Sequence, residues 1–377
     1  MGVVNMLDIR EVKTRKEKRD FLDFPLKLYK DNKYFVPPLY SDERKIFHKN
    51  YMYYDQSEAK YWIIYENGEV VGRISAILQK AANEKWRQKR VRFTRFDCID
   101  NQEVANALFK CVEDYAKEKG MEEVVGPLGF SDLEREGLLI EGFDYLSTFE
   151  EQYNYPYYQK LLENYGYDKD VDWVEHRMIP SKESVAQISA LSDRVLAKGQ
   201  IHLVKIKSLK SFIKKYRDKF FDILDKTYDH IYGTVPFTDG MKKLLIENYA
   251  PVINTNYIKC VVDKDDNIIA FGICFPAMGE IFQKTGGKLK LRTIFELLHN
   301  VKHPKRIDLG LVGVLDDAKY TGAAAVVYGE YAKQLTKDNI EYMETNLNLE
   351  DNLDIISTWS HFNPKQHKRR RCFFKKI

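Results

Sequence analysis

The residues best placed to do chemistry lie in one stretch, 306–350. Within it, Lys319-Tyr320-Thr321-Gly322-Ala323-Ala324 sets a lysine ahead of three consecutive small residues. If a helix starts there, its first N–H groups lack intrahelical partners, and small side chains let a ligand come close to them. Such a start suits a phosphate or pyrophosphate. Further on, Tyr342, Glu344, Asn346 and Asn348 alternate with Met343, Thr345, Leu347 and Leu349. On a strand, that alternation gathers the polar residues on one face. Burying them without partners is costly, whereas a water-filled cleft between splayed strands would satisfy them, as would the exposed face of an edge strand. Asp308 and His361 are further titratable groups in and near the stretch.

The elements that position these residues follow from periodicity. Ile307–Val314 reads as a strand and Tyr342–Leu349 as a second one. Between them a helix is expected from near Gly322, with Ala324, Val327, Tyr328, Tyr331 and Leu335 on one face. Earlier, Asn67-Gly68 between two apolar runs marks a hairpin, and Gly120 ends an amphipathic helix carrying Val104, Leu108 and Val112. A glycine-rich polar loop, 126–142, carries Asp132, Glu134, Arg135 and Glu136 and is a candidate lining for an acceptor cleft or a solvated connection. The same order of elements returns about 199 residues later. Val235-Pro236 follows Val36-Pro37, and Asp266-Asn267 follows the first hairpin turn. Asn154 and Asn352 each open a helical stretch, and the segment 279–304 is longer than its counterpart in the first half. The chain therefore reads as two diverged copies of one unit: residues 1–180, a helical linker 181–198, and residues 199–377.

The small-residue loop resembles a worn copy of the acyl-CoA pyrophosphate loop of the GNAT superfamily of N-acyltransferases, Gln/Arg-x-x-Gly-x-Gly/Ala. Lys319 stands at the first position, Gly322 at the glycine and Ala324 at the last small residue. Asn154-Tyr155-Pro156 leading to Gly166-Tyr167 is similar to the family's closing helix. Phe24-Pro25 and Val36-Pro37-Pro38-Leu39 resemble a group of bacterial GNAT-like proteins. The resemblance covers nearly the whole chain. It implies a mixed α/β (α+β) fold of two tandem GNAT-like units, each a twisted mixed sheet flanked by helices.

Function follows as an expectation of that resemblance. The chain would be an acyl-CoA-dependent N-acyltransferase, with acetyl-CoA the first choice and other acyl-CoA donors open, acting on a small-molecule or peptide amine. Tyr320, Thr321, Gly322, Ala323 and Ala324 would hold the pyrophosphate through backbone N–H groups, with Lys319 adding a cation. Val312 and Val314 would offer backbone groups to the pantetheine arm, and Asn352 joins the cofactor set. The first copy has Asp100-Asn101-Gln102-Glu103 at the corresponding helix start, whose carboxylates would repel a pyrophosphate, so a single donor site is expected. Amide formation needs a base for the ammonium. Glu344 is the candidate, with Asp308 and His361 as alternatives. The family's leaving-group tyrosine corresponds here to Trp359, which cannot serve as that acid. A non-catalytic acyl-CoA-binding protein and a Fem-like aminoacyl transferase remain competing readings.

Composition bounds the rest. A net charge of +4 is too small to argue for nucleic acid. The basic run 365–371, Lys-Gln-His-Lys-Arg-Arg-Arg, reads as a surface strand or a contact for a polyanion such as the CoA 3′-phosphate. The five cysteines are scattered without metal-ligand spacing, so neither a metal nor a disulfide framework is expected. With no long apolar run and no signal-like N-terminus, a cytoplasmic protein without a membrane partner is expected. The oligomeric state is open.

Overall fold

The computed structural model describes residues 6–359 and 362–377. The first half runs β1 (Asp8–Glu11), α1 (Arg15–Leu28), α2 (Tyr40–Glu43), β2 (Ser57–Glu66), β3 (Glu69–Gln79), α3 (Lys80–Lys85), β4 (Arg90–Cys98), α4 (Gln102–Glu118), β5 (Glu123–Gly126), β6 (Leu138–Glu141), α5 (Tyr157–Asn164) and β7 (Asp168–Met178). Each local signal acts as its chemistry requires. Asn67 and Gly68 both take positive φ, turning β2 into β3 with Glu66 opposite Glu69. The Asn101 side chain accepts from the N–H groups of Glu103 and Val104, capping α4. Gly120, at φ +69°, ends that helix. The buried face of α4 (Val104, Leu108, Phe109, Val112) packs on Ile74, Phe93 and Val124 of the sheet to form the first core.

After α6 (Lys182–Ala197), the second half follows as β8 (His202–Leu203), α7 (Leu209–Tyr228), α8 (Asp239–Tyr249), β9 (Ile258–Val262), β10 (Ile268–Pro276), α9 (Gly279–Thr285), α10 (Leu291–Lys302), β11 (Arg306–Val314), α11 (Ala323–Lys337), β12 (Tyr342–Thr345), β13 (Asn348–Leu349), α12 (Leu353–Trp359) and β14 (Pro364–Lys376). The second core sets Val326, Val327, Tyr331 and Leu335 of α11 against Ala270, Ile307 and Met343. The helix Lys182–Ala197 lies against α11, where Gly329 lets the two helix backbones come close: a Cβ there would sit 2.7 Å from the Ile188 carbonyl oxygen.

The halves are tied by strand exchange. All strands of the described residues join one mixed sheet, in which β14 lies between β5 and β7, and β7 lies between β14 and β12. The closing strand of each half therefore completes the sheet of the other. Among the described residues the only parallel pairs are β4–β5 and β11–β12, at matching places in the two halves.

Three local expectations are corrected. The strand expected over Tyr342–Leu349 ends at Thr345 and resumes as β13, which pairs with β7 instead of β11. Asn154 does not start a helix. Its amide bonds both the N–H and the carbonyl of Leu139, standing in for a strand neighbour. The basic run 365–371 is not simply a surface strand: Lys365 and Gln366 are exposed, but His367, Lys368 and Arg370 are buried on β14, with Lys368 and Arg370 paired to carboxylates of β7 and β12.

Candidate active site

The site is built where two parallel strands part. β11 and β12 pair only from Arg306 opposite Tyr342 to Leu309 opposite Thr345. Beyond that point β11 continues to Val314 beside β10, while the chain after Thr345 turns away towards β7. The wedge between them opens into a cavity of about 940 Å³. One wall is the free side of β11, Gly310–Val314, facing Asn346–Leu349. A second wall, from α7 and α8, is largely apolar: Phe212, Phe220, Phe221, Leu224, Leu245 and Ile246. The third wall is acidic, with Asp132, Glu134, Glu136, Glu150 and Glu151.

Of the residues expected to hold an acyl-CoA donor, the structure brings Val312, Val314, Lys319, Ala324 and Asn352 onto this cavity. The Tyr228 hydroxyl donates to the Val312 carbonyl and accepts from its N–H, both at 3.2 Å. Tyr320, Thr321, Gly322 and Ala323 are placed otherwise. Residues Asp316–Thr321 form a 3₁₀ turn, Tyr320 points fully into solvent, and the Thr321 hydroxyl accepts from the Ala323 N–H at 3.2 Å. Gly322 caps α11 at φ +84°, and a Cβ there would meet Val195 of α6 at 2.8 Å. Its glycine thus serves the turn and the packing of α6. The N-cap residue of α11, Gly322, has no side chain to cap the N–H groups beyond Ala323, in contrast to Asn101 on α4. Lys319 pairs with Asp316 at 2.9 Å.

The candidate bases divide in the same way. Glu344 does not line the cavity. It is buried, with Lys368 at 2.5 Å, His367 at 2.9 Å and Arg177 at 3.2 Å. Burial alone would raise its pKa, but Lys368 and His367 outweigh that and hold the carboxyl well below its usual range. A carboxylate so stabilised is a weak proton acceptor. Asp308, its register partner across the parallel pair, is buried too, and one of its carboxyl oxygens has no partner. Burial first, and then the neighbouring Glu344, push its pKa well up. The two register partners are thus shifted in opposite directions, Asp308 up and Glu344 down. His361 lies outside the described residues. Trp359 is fully buried and packs edge-on against Tyr328. Glu175, Glu344 and His367 bring possible metal-ligating atoms within 4.8 Å of one another. The Lys368 ammonium sits among them, 3.3 Å from Glu175, and already supplies positive charge there.

Sequence reasoning missed the carboxylate at the wedge itself. Glu150 accepts from the Asn346 amide at 3.1 Å, and the same amide reaches the Gly310 carbonyl at 3.4 Å, where β11 and β12 separate. Its segment is held by Arg135, which donates to the Phe149 carbonyl at 2.7 Å. Burial raises the Glu150 pKa, and hydrogen bonds from Tyr249 and Asn346 temper the rise. Glu150 also lines a second cavity of about 200 Å³, with Phe35, Arg95, Tyr249 and Phe282, so it stands between two chambers. On the same acidic wall, burial lifts Asp132 to about 6 and Glu151 to about 8. Carboxyls shifted towards neutrality are groups able to exchange protons with an amine. The loop 126–142 was legible as a polar lining, but no periodic pattern marks Phe149-Glu150-Glu151.

No family model matches the sequence. The chain is 23% identical over 379 residues to Protein YghO of Escherichia coli, covering 98% of this chain and 95% of that protein. It is 23% identical over 288 residues to the bacterial ceramide synthase of Caulobacter vibrioides, covering 75% of this chain and 73% of that one. Among solved structures, the tandem GNAT protein from the clavulanic acid biosynthesis pathway aligns over 98% of both chains, with a TM-score of 0.58 at 11% identity. That likeness runs the length of the chain and establishes its fold.

Proposed function

From the tandem GNAT fold of this chain, we propose that it is an acyl-CoA-dependent N-acyltransferase with its donor site in the second half. The observation that carries this reading is Glu150 at the point where β11 and β12 part, between two chambers and beside an unpaired stretch of sheet edge. The pantetheine arm takes the place of the Tyr228 hydroxyl on Val312, and the start of α11 near Ala324, with Lys319, receives the pyrophosphate. The second chamber and the acidic wall receive the amine as its ammonium. Glu150 takes the proton. Glu150 passes that proton to solvent, the amine nitrogen forms its bond to the thioester carbonyl carbon, the carbon–sulfur bond breaks, and the second proton lost by the nitrogen goes to the leaving thiolate. Glu344, His367 and Lys368 brace the strand junction beneath the site.

The apolar wall favours an acyl group longer than acetyl. The cavity is near the upper end of the ~300–1,000 Å³ range of small-ligand pockets, and Phe212, Phe220, Phe221 and Leu245 would line a chain. A relative named as a bacterial ceramide synthase fits the same direction. The test is free-thiol release from acetyl-, octanoyl- and palmitoyl-CoA against a panel of small amines, amino acids, peptides and long-chain amino alcohols, with the product identified by mass. Thiol release that depends on an amine, and is faster with the longer donors, supports the proposal. Tight CoA binding without release for any amine would leave a binding protein in its place.

A further inference from the structure

We propose that the α9–α10 segment docks this protein onto the surface of an anionic lipid bilayer. The segment has no counterpart of its length in the first half of the chain. Its inner face is anchored: Leu297 and Phe282 pack with Val36 and Met278, and the Gly287 carbonyl accepts from the Tyr40 N–H at 3.0 Å. Its outer face is apolar and bare. Leu291, Ile294, Phe295 and Leu298 recur at the spacing of one helical stripe, and Leu291 and Phe295 are 79% and 72% exposed. An apolar stripe of this size turned to water marks a docking surface.

Charge selects the occupant. Exposed Lys284, Lys288, Lys290 and Arg292 precede or begin the helix, and exposed Lys302 and Lys305 follow its last turns. The acidic Glu296 is turned onto Arg292 at 2.9 Å. A two-fold contact between copies of the chain would bring this basic rim against itself, which opposes self-association. An apolar stripe with cations at both ends matches the acyl–headgroup boundary of an anionic leaflet, where the helix lies in the plane of the surface. The expectation of no membrane partner rested on spanning segments. None of the described helices is long and apolar enough to cross a membrane, and in-plane docking requires none. Met278 and Phe282 also line the smaller chamber, which places the docked segment beside the proposed amine side of the site.

The test measures binding alone, so its outcome is separate from that of acyl transfer. The full chain is sedimented with phosphatidylglycerol vesicles and with phosphatidylcholine vesicles. Binding to the first, weakened by salt, and little to the second is expected. Leu291→Ser with Phe295→Ser should weaken binding at least roughly tenfold, since these side chains would be the ones inserted. Their exposure means that the circular dichroism spectrum and melting temperature should not change. Lys284→Glu with Lys290→Glu should weaken binding and flatten its salt dependence. The proposal is overturned if phosphatidylglycerol vesicles do not retain the chain, or if the apolar double variant binds them as well as the wild type. It is equally overturned if that variant instead abolishes a concentration-dependent dimer.

Discussion

The Tyr228 hydroxyl holds both backbone polar groups of Val312, each at 3.2 Å, on the one side of β11 that has no neighbouring strand. In the proposed donor site those are the groups a pantetheine arm would use, and the tyrosine would then be a stand-in for it. A net hydrogen bond is worth about 0.5–1.5 kcal/mol. Tyr228→Phe should therefore tighten CoA binding by roughly two- to tenfold while costing the free protein a similar increment of stability. Calorimetric titration and thermal melting read the two effects. Unchanged affinity would remove Val312 from the donor site.

Glu150→Gln should lower turnover by about 10²–10⁴-fold and leave CoA affinity intact, because only proton acceptance is lost. A base works in its ionised form, and burial raises this carboxyl above its usual range. The rate should thus fall as pH drops through a value above that of an ordinary glutamate, and the acid limb should vanish in the variant. An acid limb unchanged in Glu150→Gln would move the base elsewhere, with Asp132 next in line.

Glu344→Gln separates bracing from catalysis. Its folded pKa is depressed, so its stabilising contribution is complete above the unfolded-state value near ~4.3 and is lost as pH falls below it. At neutral pH the substitution weakens the pairing of buried Lys368, with a cost of up to about 3–5 kcal/mol. Protein that remains folded should turn over within a few-fold of normal. Asp308 has the opposite sign: its raised pKa costs stability as pH rises above its unfolded value. Asp308→Asn should therefore raise the melting temperature at neutral pH. Normal melting with abolished turnover in Glu344→Gln would restore Glu344 as the base.

Donor binding should be confined to one half. CoA should titrate to a single site per chain, and Ala324→Asp should abolish it by placing a carboxylate at the cavity-lining helix start. Asn101→Gly, at the equivalent start in the first half, should leave affinity unchanged. Gly322→Asp is a poor probe, since a Cβ meeting Val195 at 2.8 Å with φ at +84° would disturb α6 whether or not phosphate binds there.

Strand exchange predicts that residues 1–198 expressed alone will not fold, because β5 and β6 lose β14 and expose a sheet edge. Adding the segment 362–377 in trans should partly rescue solubility. An independently folded, monomeric first half would contradict the role assigned to β14.

Local chemistry made much of this protein legible in its sequence. An Asn-Gly turn, an Asp-Asn turn, a glycine-closed helix and apolar stripes act over a few residues, so they mark the two hairpins, α4 and α11 and the repeat that relates the halves. The small-residue run at Gly322 likewise marks the start of α11, since a glycine N-cap is a local property. Tertiary structure decided the rest, because its determinants are separated along the chain. Glu150 meets Asn346 across 196 residues and Tyr228 meets Val312 across 84, and no periodicity encodes such pairings. For Glu344, strand alternation gives the face of the side chain but not what opposes it. What opposes it is a lysine, a histidine and an arginine from β14 and β7, brought there only by the exchange of closing strands. The same exchange buries His367, Lys368 and Arg370 of the basic run as an electrostatic seam, while Lys365 stays exposed, since burial depends on which strands flank a segment and not on its charge.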